Sequence, residues 1–262
     1  MKKHLISISI SFFLFLNIMP ARGNDQVGVI ERLFQSENVN GTFLVSSMNG
    51  EMRKTFNFQR SKTRFSPAST YKILNTLIGL KYGAVSSGDF SFQWDGVERG
   101  VPAWSKDQSL ASAFKISCVW CYQEIANEVG VSKYSHELDA TSYGNQCVSA
   151  PVDLHWLNGV LKISANEQVD FLKRLVNRTL PYDHRHTNIL KEIMFVERNP
   201  NYTLYAKSGW TGPKLAVGWY VGYIETESDT FVFAMNMAMN DIKQAPLRKK
   251  LVIQSLQALK LI

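Results

Sequence analysis

Apolar residues recur at helical spacing near the front of the chain, where Val29, Ile30, Leu33 and Phe34 mark an amphipathic helix. The period then changes. Residues 41–47 are strand-like, rich in Thr, Phe, Leu and Val. Asn49-Gly50 is a two-residue hairpin turn signal, and residues 52–56 supply the returning strand. Next, Ser66 is the expected N-cap and Pro67 the first position of a second helix. Leu74, Leu77 and Ile78 follow at helical spacing and Gly83 is the expected stop. From about 85 to 195 the pattern is mainly helical with long loops, including a Gly/Asp/Trp-rich loop over 90–100 and a clear helix over 169–180. After Pro200 the spacing predicts strands over 202–206, 216–225 and 231–239. Pro246 opens a last helix with Leu247, Leu251, Leu256 and Leu259 on one face.

Strands at both chain ends and helices between them predict an α/β (α+β) fold. Short connections between the late strands favour an antiparallel sheet. That sheet is built from both termini, covered by the terminal helices, and carries a mainly helical insertion. The expected mature unit is one catalytic domain over 24–262. Its sheet lobe takes about 24–65 and 200–262, and its helical lobe about 66–199. The 262 residues and 45% apolar composition suit a unit of that size.

Residues 1–23 read as a secretory signal. Lys2 and Lys3 precede an uncharged apolar core over 5–16, and Ala21 and Gly23 place small residues at the cleavage site. The run is shorter than a membrane span needs. The mature protein is therefore expected to be soluble, exported to the periplasm and free of the membrane after cleavage. The leader carries three Lys and Arg residues and no acid, so cleavage lowers the formal charge from +7 to +4. No basic block with interleaved aromatics is present, which argues against a nucleic-acid partner.

Cys118, Cys121 and Cys147 leave at least one thiol unpaired within the chain. Cys118-Val119-Trp120-Cys121 matches a redox spacing, but no predicted strand precedes it. The pair reads better as small buried hydrophobes. His184 and His186 flank Arg185 in a polar stretch without a carboxylate-rich ligand pattern, so no metal site is expected.

The chemistry starts at the second helix. Ser69 and Lys72 are three residues apart, roughly 60° around a helix, so hydroxyl and amine can meet. An adjacent base activates a Ser nucleophile. Tyr71, Ile73 and Leu74 surround the amine with apolar bulk, and burial lowers the pKa of such an amine. Taken alone, these residues read better as a capped amphipathic helix. Three further motifs follow in order: Ser117-Cys118-Val119, Tyr143-Gly144-Asn145 and Lys207-Ser208-Gly209. The last falls at the end of a predicted strand. There the Lys supplies fixed charge, the Ser a donor to a carboxylate, and the Gly room for a substrate backbone.

In this order and spacing, Ser69-Thr70-Tyr71-Lys72 and the three later motifs resemble the class D, oxacillinase-type, serine β-lactamases. The resemblance runs from the leader to the last helix. It includes Trp156-Leu157 before Ile163-Ser164-Ala165, and Pro246-Leu247-Arg248 near the end. Val119 stands where class A enzymes and penicillin-binding proteins carry Asn. Tyr71 replaces a frequent Phe and Ser208 a frequent Thr.

The resemblance implies a penicillin-binding transpeptidase-like fold and hydrolysis of β-lactams, with antibiotic resistance as the consequence. It implies Ser69 as nucleophile and Lys72 as base, the latter carrying CO₂ as a carbamate (N6-carboxylysine) that Trp156 stabilises. Backbone N–H groups of Ser69 and Trp210 form the oxyanion hole. Ser117 relays a proton, helped by Lys207. Ser208 and Arg248 take the substrate carboxylate at the Lys207-Ser208-Gly209 strand. Val119 and Leu157 wall the site and Trp104 lines its mouth. The Arg248 run also reads as a solvated helix start, and Tyr143-Gly144-Asn145 as structural support. No cofactor beyond CO₂ is implied, and the oligomeric state is open between monomer and homodimer. The alternatives are a penicillin-binding D,D-peptidase or a β-lactam sensor domain, both acylating without rapid turnover. Val119 and Trp156 favour the hydrolase.

Overall fold

A computed structural model describes residues 24–262; the leader read in residues 1–23 lies outside them. In chain order the helices are α1 (Asn24–Ser36), α2 (Phe58–Lys62), α3 (Lys72–Lys81), α4 (Leu110–Lys115), α5 (Val119–Val129), α6 (Val131–Ala140), α7 (Ala165–Val176), α8 (His184–Met194) and α9 (Ala245–Ala258). The strands are β1 (Gly41–Ser47), β2 (Arg53–Phe56), β3 (Ser91–Phe92), β4 (Gln108–Ser109), β5 (Phe195–Arg198), β6 (Thr203–Trp210), β7 (Val217–Glu225) and β8 (Thr230–Ala238). The main sheet has the order β2-β1-β8-β7-β6-β5. Every pairing in it is antiparallel. The first hairpin therefore docks beside the last strand, and the sheet is built from both chain ends.

The central strands are buried on both faces, which is why β1 and β8 read as continuous apolar runs rather than as an alternation. One core lies between the sheet and α1 and α9, built on Phe34, Phe43, Phe233 and Leu256. A second, larger core lies between the other face and the helical segment, built on Leu74, Trp156, Phe171 and Trp219. Buried Glu137 ties that segment together: its carboxylate accepts from Lys81 Nζ at 2.6 Å, Tyr82 at 2.8 Å and Tyr182 at 2.7 Å.

Several local expectations are corrected. Ser66 is not an N-cap; its buried hydroxyl donates to the Trp156 carbonyl at 2.8 Å. The helix is entered instead through a 3-10 turn over Ala68–Tyr71, with Pro67 before it. The helix expected over 169–180 is α7. It starts earlier because Ser164 and Glu167 form a reciprocal capping box, and it ends before Leu180. The edge strand β5, read as part of a helical stretch, pairs with β6. The segment 202–206 is longer than expected, so Lys207-Ser208-Gly209 lies inside β6. Cys118 and Cys121 are buried, but as a disulfide rather than as two small hydrophobes. Cys147 is an exposed free thiol.

Tyr143-Gly144-Asn145 acts as a splint for the loop that carries Trp156 and Leu157. The Asn145 amide donates to the Lys162 carbonyl at 2.9 Å. Its side chain accepts from the Lys162 N–H at 2.8 Å and donates to the Val160 carbonyl at 2.9 Å. The far end of the loop is fixed by a two-way bridge between Phe65 and Ile163, at 2.8 and 2.9 Å. The Tyr143 ring packs edge-on against Tyr71 and Phe171. Gly144 lies at φ 57°, and a Cβ there would meet the Lys162 carbonyl oxygen at 2.1 Å. Backbone strain and clash coincide, so Gly144→Ala is expected to lower the melting temperature by about 4–8 °C. A scan showing no change would mean that the splint does not carry the loop.

Candidate active site

The nucleophile turn is held from two sides. The Trp156 carbonyl accepts from the Ala68 N–H at 3.1 Å and from Ser66 Oγ at 2.8 Å. Trp219 Nε1 donates to the Ser66 carbonyl at 2.9 Å. Ala68 is forced to φ 47°, a conformation that L residues adopt only when their surroundings impose it. Ser69 then stands 8% exposed, and Lys72, one turn on, is 0% exposed. Their Oγ and Nζ are 3.4 Å apart. Burial lowers the Lys72 amine to about 7, and no carboxylate counters that shift. Its nearest ring is Tyr122, 4.8 Å from Nζ to the centroid.

Trp156 stacks on Tyr71 with ring centroids 5.6 Å apart. Its Nε1 is buried with no hydrogen-bond partner among the described residues. Behind it sits His155, to which no role was assigned from sequence. Its Nδ1 is 2.5 Å from the Val152 carbonyl oxygen, and burial lowers the ring to about 4. It stays neutral at physiological pH and serves as an aromatic wedge, 5.1 Å from both Tyr71 and Trp156.

Ser117 owes its place to the end of α4. The Cys118 N–H donates to the Ala113 carbonyl at 2.8 Å, and the Ser117 N–H to the Phe114 carbonyl at 3.2 Å. That pair of bonds is a Schellman motif, and Ser117 at φ 60° takes the left-handed position normally given to Gly. Cys118 Sγ, in its disulfide, caps α5 by accepting from the Cys121 N–H. The Ser117 hydroxyl is thereby presented between two helix ends, 2.5 Å from Lys207 Nζ. Burial first, then the charges of Lys72 and Arg248, push the Lys207 amine well below its ordinary value.

Antiparallel pairing sets which way the β6 amides point. The Thr211 N–H donates to the Val217 carbonyl, so within the same register Gly209 and Lys207 bond to β7. Ser208 and Trp210 must then turn their amides the other way. On that side β5 leaves β6 after the Phe195–Tyr205 pair, so the Trp210 N–H faces an open edge. Gly209 serves a closer contact than the expected substrate backbone. A Cβ there would lie 3.0 Å from the Pro67 carbonyl oxygen and 3.2 Å from the Thr70 N–H. The missing side chain lets β6 pack directly on the nucleophile turn.

These elements enclose a cavity of about 570 Å³ lined by Ser69, Ser117, Val119, Leu157, Ser208, Gly209, Trp210, Arg248 and Trp104. Lys72, Lys207 and Trp156 lie behind that wall. Trp104 is a fixed wall residue: its Nε1 donates to the Ile116 carbonyl at 3.2 Å, and its carbonyl accepts from Trp120 Nε1 at 3.0 Å. Arg248 is half-buried rather than solvated. It donates to the carbonyls of Gly209 at 2.6 Å and Ala245 at 3.0 Å, and burial lowers it to about 10. Val101, Lys115, Ile116 and Ile242 complete the lining. Adjacency to Ser117 could have flagged Lys115 and Ile116; nothing local marks Val101 or Ile242.

The chain matches the family described as penicillin binding protein transpeptidase domain over residues 35–254. It is 37% identical to beta-lactamase OXA-20 of Pseudomonas aeruginosa over 234 residues, 87% of each chain. It is 36% identical to beta-lactamase OXA-48 of Klebsiella pneumoniae over 230 residues, again 87% of each. Among solved structures, FUS-1 (OXA-85), a class D beta-lactamase from Fusobacterium nucleatum subsp. polymorphum, superposes with a TM-score of 0.86 at 34% identity, covering 90% of this chain and 98% of that one. A Ser–Lys nucleophile turn under the open edge of an antiparallel sheet, in a chain with these relatives, places the protein in the class D β-lactamases, within the penicillin binding protein transpeptidase family.

Proposed function

We propose that the enzyme opens β-lactams through an ester on Ser69, with Lys72 in carboxylated form as the base. The observation that carries this reading is a fully buried amine, 3.4 Å from the Ser69 hydroxyl, with no carboxylate beside it among the described residues. An amine lowered to about 7 is substantially neutral at physiological pH, and only the neutral amine adds CO₂. The unpartnered Trp156 Nε1 is a donor that fits the resulting anion. When bound, CO₂ turns the Lys72 side chain into an anionic oxygen base.

In acylation the Ser69 hydroxyl gives its proton to the Lys72 side chain, and Oγ bonds to the lactam carbonyl carbon. The N–H groups of Ser69 and Trp210 hold the oxygen that becomes negative; one such donor contributes about 3–4 kcal/mol. As the C–N bond breaks, Ser117 Oγ passes its proton to the ring nitrogen and takes in its place the one that the Lys72 side chain received, so the base is free again, and the neighbouring Lys207 steadies that transfer. Ser208 and Arg248 bind the substrate carboxylate. Two Arg248 donors are already committed to backbone carbonyls, which fixes the guanidinium in place. In deacylation a water gives its proton to the Lys72 side chain and attacks the ester, and the proton returns to Ser69. Val119 and Leu157 limit how much water reaches that bond. The leader in residues 1–23 delivers the enzyme to the periplasm.

Lys72→Ala is expected to lower kcat on a chromogenic cephalosporin by about 10²–10⁴-fold, leaving slow acylation visible by mass spectrometry. Full turnover in that variant would refute the base assignment. The pH dependence follows from the lowered amine. As pH falls through about 7, the amine takes a proton and loses CO₂, so activity falls and added bicarbonate restores it. A rate indifferent to bicarbonate after CO₂ removal would overturn the carboxylation. Ser117→Ala and Ser117→Gly both remove the hydroxyl and are expected to lose at least about 10²-fold in turnover. Only Gly also relieves the left-handed backbone, by about 1 kcal/mol, so it should melt about 2–4 °C above the Ala variant.

A further inference from the structure

The cavity does not end at Lys207. A second open volume of about 220 Å³ continues along β6 and shares Lys115 and Ser208 with the first in its walls. Its floor is Ala206 to Ser208, one wall is the end of α4, and the other is the start of β5. Phe195 and Val196 are 50% and 39% exposed there, apolar surface with no covering element. Neither volume has an acidic residue in its lining. Lys115 is exposed and has no ion-pair or hydrogen-bond partner among the described residues. Half-buried Arg248, which stays charged at neutral pH, adds positive charge nearby.

The position of this volume fixes which half of a substrate can reach it. The proposed oxyanion donor Trp210 lies at the far end of β6, Ser117 meets Lys207 further back along that strand, and the second volume reaches back past Ser208 to Ala206. A group beyond Ser117 and Lys207 therefore belongs to the departing ring, not to the acyl side chain.

We propose that Lys115, Phe195 and Val196, with the β6 edge at Ser208, form a leaving-group subsite that selects β-lactams whose departing ring carries an extended arm with an anionic end. The apolar pair packs the arm and the Lys115 ammonium meets its terminal charge. This inference rests on the proposed orientation of the lactam between Ser69 and Ser117.

The test uses two cephalosporins with one acyl side chain. One carries a carboxylate- or sulfonate-ended arm on the ring, the other a short neutral substituent. In Lys115→Glu the ratio of kcat/KM for the anionic over the neutral substrate is expected to fall about five- to tenfold, since a partly exposed ion pair is replaced by repulsion. The fall should lie in KM rather than kcat and should shrink at high salt. Val196→Trp, which fills the groove, should lower the same ratio by excluding the arm. Equal losses on both substrates, or an unchanged ratio in both variants, would overturn the subsite. If the wild type turned over neither substrate, the proposed function itself would fail, a result distinct from an unchanged ratio.

Discussion

The structure depends on an amine kept out of water without an acid to pair it. Lys72 is fully buried and its charged form is disfavoured by that burial alone. An ordinary fold avoids such a group or supplies a carboxylate. Here the chain sets the Tyr122 ring against the amine, stacks Tyr71 on Trp156, and leaves the indole N–H of Trp156 without a partner among the described residues. The unpartnered indole N–H is a standing cost, and in the proposed mechanism the carboxylated Lys72 side chain would meet it. The rest of the molecule can be understood as what holds that arrangement closed.

Holding it requires strain in specific places. Ala68, Ser117 and Gly144 all lie in the left-handed region, and each is held by specific backbone contacts. Ala68 is clamped by the Trp156 carbonyl, Ser117 by the end of α4, and Gly144 by the backbone of Lys162. Only the last is a glycine. At the other two positions a residue with a Cβ carries or precedes a hydroxyl that the proposed mechanism uses, which fits strain placed beside a reacting group. The Tyr143-Gly144-Asn145 splint links these places, because the loop it braces supplies both the clamp on Ala68 and the indole beside the amine.

What the sequence made legible follows the range of the forces involved. The Ser69–Lys72 pair is local, set by helical spacing, and its meeting and the lowered amine follow from Tyr71, Ile73 and Leu74 alone. The late strands and the final helix were visible because their apolar periods are long. Ser66 misled because a hydroxyl before Pro67 fits a cap equally well, and the Trp156 carbonyl that claims it is far away in the chain. The edge strand β5 is four residues long and follows α8 without a break, so no change of period announces it. The cavity lining at Val101 and Ile242 is assembled only by tertiary packing. The pairing of Cys118 with Cys121 depended on how their segment turns between two helix ends, which Ser117 decides and spacing does not.

The charges around the cavity complete the argument. Lys207 is buried near the Arg248 guanidinium, and burial above all holds its amine well below its ordinary value. In the proposed mechanism, a substrate carboxylate at Ser208 and Arg248 draws the Lys207 proton in more tightly. The same group touches Ser117 at 2.5 Å, so its proton affinity is felt at the relay hydroxyl. Binding of the anion thus readies the relay only when a substrate is present. Binding energy at the carboxylate is converted into electrostatic order at the departing nitrogen, where the transition state uses it. An acid in the cavity wall would weaken this coupling in advance, and the charged residues of the lining, Lys115 and Arg248, are both basic.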